Sequence, residues 1–84
     1  MTDLKQKAVV YVRLKEGVLD PQGQTIQKAL TQMGYTEFVS VRTGKFFELE
    51  ISSNGGNIDQ RITEVCSKLL ANPVIENFRV EKVK

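Results

Sequence analysis

Residues 38–52 read FVSVRTGKFFELEIS, and the way this stretch folds decides the architecture of the chain. Val39 and Val41 alternate with Phe38, Ser40 and Arg42, while Phe47, Leu49 and Ile51 alternate with Phe46, Glu48 and Glu50. A period of two is the pattern of a half-buried strand. Thr43-Gly44 separates the two runs and supplies a turn, so the spacing predicts a β-hairpin.

The flanking sequence repeats one grammar on either side. Upstream, residues 7–14, KAVVYVRL, are rich in β-branched residues and short enough for a strand. Ala8, Val10, Val12 and Leu14 fall on one face, and Val9, Tyr11, Arg13 and Lys15 on the other. Asp20 directly before Pro21 is the arrangement of a helix N-cap followed by proline in the first turn. Ile26, Ala29, Leu30 and Met33 follow at helical spacing, and Gly34 supplies the stop. Downstream of the hairpin, SSNGGN is a loop by composition, and Asn57 with Gln60 resembles a capping box. Ile58, Ile62, Val65 and Leu69 then make an apolar helical stripe, ended by Asn72-Pro73. VIENFRVEKV, residues 74–83, predicts a last strand.

The predicted order is strand, helix, strand, strand, helix, strand, in one domain over residues 1–84. That order points to the α+β class and a ferredoxin-like split β-α-β sandwich, βαββαβ. Its expected form is a four-stranded antiparallel sheet with both helices on one face. A chain of 84 residues buries a modest share of its surface, so self-association is a natural source of further stability.

Composition excludes much chemistry. There is no His and a single Cys, Cys66, which rules out a Ser–His–Asp triad, a Cys–His pair and the usual zinc sites. No intramolecular disulfide is possible, in keeping with a reducing cytoplasm. Twelve Lys and Arg stand against ten Asp and Glu, scattered rather than clustered, which favours neither nucleic acid nor a membrane surface. No apolar run approaches the roughly 20 residues that span a bilayer.

Gly17 and Gly23 do not have phosphate-loop spacing, and Pro21 removes one N–H donor, so their loop reads as a structural joint. Cys66 lies among Ile62, Val65, Leu69 and Leu70 and reads as a small buried hydrophobe. Glu48 and Glu50 read as cross-strand partners of Arg13, Arg42 and Arg79 rather than as an acid–base pair. The second sheet face is expected to carry Val9, Tyr11, Arg13, Phe38, Arg42, Phe46 and Glu48, a mixture suited to a protein interface. RNA recognition motifs use aromatics on such a face, yet carboxylates there repel a polyanion. A small-molecule-sensing domain of the same form stays open as well.

YVRLKEGVLDPQGQTI, VRTGKFFELEI and CSKLLANPVIENFRVE together resemble the small subunit of phosphoribosylformylglycinamidine synthase, the PurS family, over about residues 7–81. The resemblance implies an assembly subunit of a purine-biosynthetic complex that also contains a large synthetase subunit and a glutaminase subunit. It implies that ATP and Mg²⁺ are used by the synthetase, that this chain binds no cofactor, and that it supplies no catalytic residue. Self-association as a dimer or dimer of dimers is expected, with Tyr11, Arg13, Gly17, Gly23, Phe38, Arg42, Phe46 and Glu48 as candidate interface residues.

Overall fold

The computed structural model describes residues 4–53 and 58–83. Within them, β1 (Leu4–Leu14) runs between β2 (Gly44–Ser53) and β3 (Glu76–Val83), antiparallel to both. Helix α1 (Pro21–Gln32) connects β1 toward β2, and α2 (Ile58–Val65) precedes β3. The described residues thus form an α+β fold, with two helices and a three-stranded antiparallel sheet.

β1 is central because its alternation serves both neighbours at once. Val10 lies opposite Phe47 of β2 and Val80 of β3, and Val12 lies opposite Lys45 and Phe78. Ala8, Val10 and Val12 are buried on the inner face against Ile62, Cys66 and Ala71. Phe47, Leu49, Ile51, Ile58, Leu70, Phe78 and Val80 surround that core, half-buried. Cys66 is fully buried, as its apolar company predicts. Burial pushes its thiol up from the ordinary value, since a thiolate there would lose its hydration. The helix widens after Val65 into a π turn over Cys66–Leu70, closed by the Ala71 N–H donating to the Cys66 carbonyl at 2.9 Å. Asn57, half of the expected capping box, lies outside the described residues, as does most of SSNGGN.

Two expectations are corrected here. Residues 38–43 form no strand with their own chain, so the hairpin is absent and β2 starts at Gly44. The cause is long-range: Gly44 is already paired with Arg13, and the Thr43 N–H donates to the Asp20 carboxylate, 23 residues upstream, at 2.7 Å. The chain therefore enters β2 straight, and the two residues expected to turn are held extended. The second correction concerns α1. Only α2 packs on the inner face; of the apolar stripe of α1, Ile26, Ala29 and Met33 stay exposed and Leu30 is half-buried. The molecule is correspondingly long, 57 × 27 × 14 Å, with a radius of gyration of 17.1 Å. A compact chain of this length has a radius of about 12 Å.

Candidate functional site

The joint between β1 and α1 is built on one carboxylate. Gly17, at φ +84°, turns the chain after β1, and the Val18 N–H donates to the Lys15 carbonyl at 3.1 Å. Asp20 then caps α1: its Oδ1 accepts from the Gly23 N–H at 2.9 Å. Pro21 occupies the first turn, where its missing N–H costs nothing. The same buried carboxylate accepts the Thr43 N–H at 2.7 Å and the Thr43 hydroxyl at 2.9 Å. The Thr43 N–H and then the Gly23 N–H hold the Asp20 carboxyl below its ordinary value, against the opposing effect of burial, with the Thr43 hydroxyl and Arg42 adding to them. The anion at this helix N-terminus is the protein's own, so the loop is a joint and not a phosphate cradle.

Gly23 has a steric reason to be glycine. A Cβ there would stand 2.3 Å from the Val41 carbonyl oxygen, so the segment before β2 lies directly on the first turn of α1. Arg42 fastens the same segment to the end of β1. Its Nη2 donates to the Leu14 and Lys15 carbonyls at 2.9 and 3.2 Å. Its Nε lies 3.8 Å from Asp20, and its Nη1 lies 3.6 Å from Glu16.

The outer sheet face is graded along the strands. Tyr11 lies opposite Phe46 and Arg79; the two rings are 6.3 Å apart, and the Arg79 guanidinium stands 4.5 Å from the Tyr11 centroid. Two residues toward the start of β1, Val9 lies between Glu48 and Glu81; two residues toward its end, Arg13 lies between Gly44 and Asn77. Carboxylates thus outnumber cations toward one end of the face, where Lys7 lies opposite Glu50, Arg13 stands toward the other, and exposed aromatics occupy the middle. Such a face can hold a protein partner by apolar contact and orient it by charge.

Of the eight candidate residues, Tyr11, Arg13, Phe46 and Glu48 come together on this face. Gly17, Gly23 and Arg42 belong to the joint. Phe38 stands apart on the segment after α1, edge-on to Tyr35 with centroids 6.4 Å apart. The expected pairing of arginines with Glu48 and Glu50 gives way to Arg79 with Glu81 and Arg42 with Asp20 and Glu16. What sequence reasoning missed is the reach of Asp20 to Thr43, because a cap is recognised from its own helix alone. Among the described residues, no cluster of three or more His, Cys, Asp or Glu side chains could hold a metal ion. None of their helices is long and apolar enough to cross a membrane.

Residues 7–84 match the family model described as PurS, phosphoribosylformylglycinamidine (FGAM) synthase. Among curated proteins, the chain is 52% identical over 75 residues to phosphoribosylformylglycinamidine synthase subunit PurS of Bacillus subtilis, covering 89% of each. It is 41% identical over 81 residues to that of Methanocaldococcus jannaschii, covering 93% of this chain and 98% of the other. Among solved structures, a crystal form of Bacillus subtilis PurS superposes with a TM-score of 0.86 at 49% identity, over 94% of this chain and 99% of that one. A chain of the Thermotoga maritima PurLQS structure does so with a TM-score of 0.83 at 28% identity, over 94% and 98% respectively.

Proposed function

Since the chain belongs to the PurS family of FGAM synthase subunits, we propose that it acts in purine biosynthesis as a non-catalytic assembly subunit of that synthase. The complex converts formylglycinamide ribonucleotide, glutamine and ATP to formylglycinamidine ribonucleotide. The glutaminase subunit releases ammonia; the synthetase subunit, with ATP and Mg²⁺, activates the amide oxygen that ammonia displaces. This chain holds the other two in register in the cytoplasm and binds no cofactor itself. It self-associates, and its ferredoxin-like sheet gains a fourth strand only in the assembled state. The outer face around Tyr11, Arg13, Phe46 and Glu48 is a contact surface for the complex.

The observation that carries this reading is the match of nearly the whole chain to PurS subunits, including one taken from PurLQS. A chain without His and with its one thiol buried is better equipped to join subunits than to do chemistry. The test is reconstitution from purified synthetase and glutaminase subunits. Glutamine-dependent product formation is expected only when this chain is added, and none from the chain alone. An unchanged glutamine-dependent rate without it would overturn the reading.

A further inference from the structure

The Arg13–Gly44 end of the sheet holds an open cleft of about 630 Å³, within the range of about 300–1,000 Å³ that small-molecule sites occupy. Arg13, Arg42, Lys45 and Arg79 line it with Tyr11, Phe46 and Asn77, and among the described residues no carboxylate does so. Three of the four cations are already engaged. Arg42 is held by two carbonyls, Asp20 and Glu16; Arg79 pairs with Glu81 and stands over Tyr11; the Lys45 ammonium stands 5.7 Å from the Phe47 centroid. Arg13 differs. It is exposed and has no ion-pair partner among the described residues. Its cross-strand neighbours, Gly44 and Asn77, bring no charge, and Gly44 brings no side chain. A free guanidinium therefore borders an uncovered stretch of backbone.

Two residues back along β1, about 7 Å away on the same face, the cleft is walled by rings. Phe46 is 62% exposed beside Tyr11, and the Arg79 guanidinium 4.5 Å from the Tyr11 centroid extends that surface. Aromatic rings and arginine planes both receive a stacked base. We propose that the cleft binds a nucleoside monophosphate, with its base on Phe46 and Tyr11 and its phosphate on Arg13. One sugar separates base from phosphate, which matches the step from Tyr11 to Arg13, and the Asn77 amide lies at the level of the sugar and phosphate to bond them. The planar fork of Arg13 suits phosphate oxygens. The face also limits the ligand to one nucleotide. On the other side of the rings, Glu48 and Glu81 flank Val9, so a strand continuing across the sheet brings its next phosphate onto carboxylates.

The test is calorimetric titration of the full chain with AMP, adenosine, ribose 5-phosphate and a short oligoadenylate. The inference does not rest on the assembly reading, because these probes need no partner subunit, and its failure leaves that reading standing. AMP is expected to bind more tightly than adenosine or ribose 5-phosphate, each of which carries half of the contacts. Phe46→Ala is expected to weaken AMP about tenfold, the loss of one stacked base, and to leave ribose 5-phosphate unchanged. Arg13→Gln is expected to bring AMP down to the level of adenosine and to leave adenosine unchanged. Both positions are exposed, and the comparison of the four probes on the parent chain needs no variant. Absence of saturable AMP binding up to about 1 mM, a Kd that corresponds to only the weakest specific sites, overturns the proposal. Equal binding of AMP and adenosine overturns the phosphate assignment to Arg13, and with it the site. Tighter binding of the oligoadenylate than of AMP gives the face to a nucleic-acid strand and likewise overturns the single-nucleotide site.

Discussion

Asp20 accepts both the main-chain N–H and the side-chain hydroxyl of Thr43, 23 residues further on, at 2.7 and 2.9 Å. One carboxylate thereby fixes the start of α1 and the entry to β2. Its folded-state ionisation lies below the ordinary value of 3.8, so it contributes stability that is present above that pH and is lost as pH falls through the folded value. Asp20→Asn keeps one acceptor and removes the charge. It is expected to be less stable than the parent at pH 7, with the gap closing below about pH 4. Thermal melts at both pH values measure this; a gap independent of pH would contradict the assignment.

Gly23→Ala tests the approach of residue 41 to the helix. Helix propensity alone favours alanine by roughly 0.5–1 kcal/mol. The contact of a new Cβ with the Val41 carbonyl, 2.3 Å away, opposes this with an overpacking cost of about 1–3 kcal/mol. A net loss in urea-unfolding free energy is expected, together with weaker self-association. A more stable variant with unchanged sedimentation would show that residues 38–42 yield freely.

The outer face offers a contrast between two neighbours. Tyr11→Ala removes the ring beneath Arg79 and its contact with Phe46, and is expected to cost about 1–3 kcal/mol of stability. Phe46→Asp, at a position 62% exposed, is expected to leave the melt of the free chain nearly unchanged. It is expected to raise severalfold the concentration needed to restore glutamine-dependent synthesis. An unaltered titration would remove this face from the contact surface.

Cys66 reports on the core. With its thiol buried and its ionisation disfavoured, alkylation of the folded chain at about pH 8 is expected to proceed only as fast as the core opens. Denaturant below the unfolding midpoint should accelerate it steeply. Immediate labelling in native buffer would contradict the burial.

What was legible in the sequence was local. Asp20-Pro21 announces a helix start, and the alternation of Ala8, Val10 and Val12 announces a central strand, because each signal is complete within a few residues. The inward company of Cys66 was readable for the same reason. Residues 38–42 show where that ends. Their alternation specifies an extended conformation and two faces, but pairing is a relation between segments, and the Thr43-Gly44 turn signal was overridden by a carboxylate far upstream. The partners of the arginines are hidden from the sequence for the same reason: Arg42 has the Leu14 and Lys15 carbonyls and Asp20 within reach only because the chain runs straight there.

Helix α1 has 12 residues and leaves Ile26, Ala29 and Met33 of its apolar stripe exposed, and isolated helices of this length are marginal in water. Its order is therefore conditional. Whatever surface receives it must supply the free energy of holding it helical, so capture and ordering form a single thermodynamic event. Any change that pre-forms α1, such as a better helix former on its solvent side, then acts as an affinity change without touching the interface. The binding strength of this small subunit is written partly in residues that contact nothing but water.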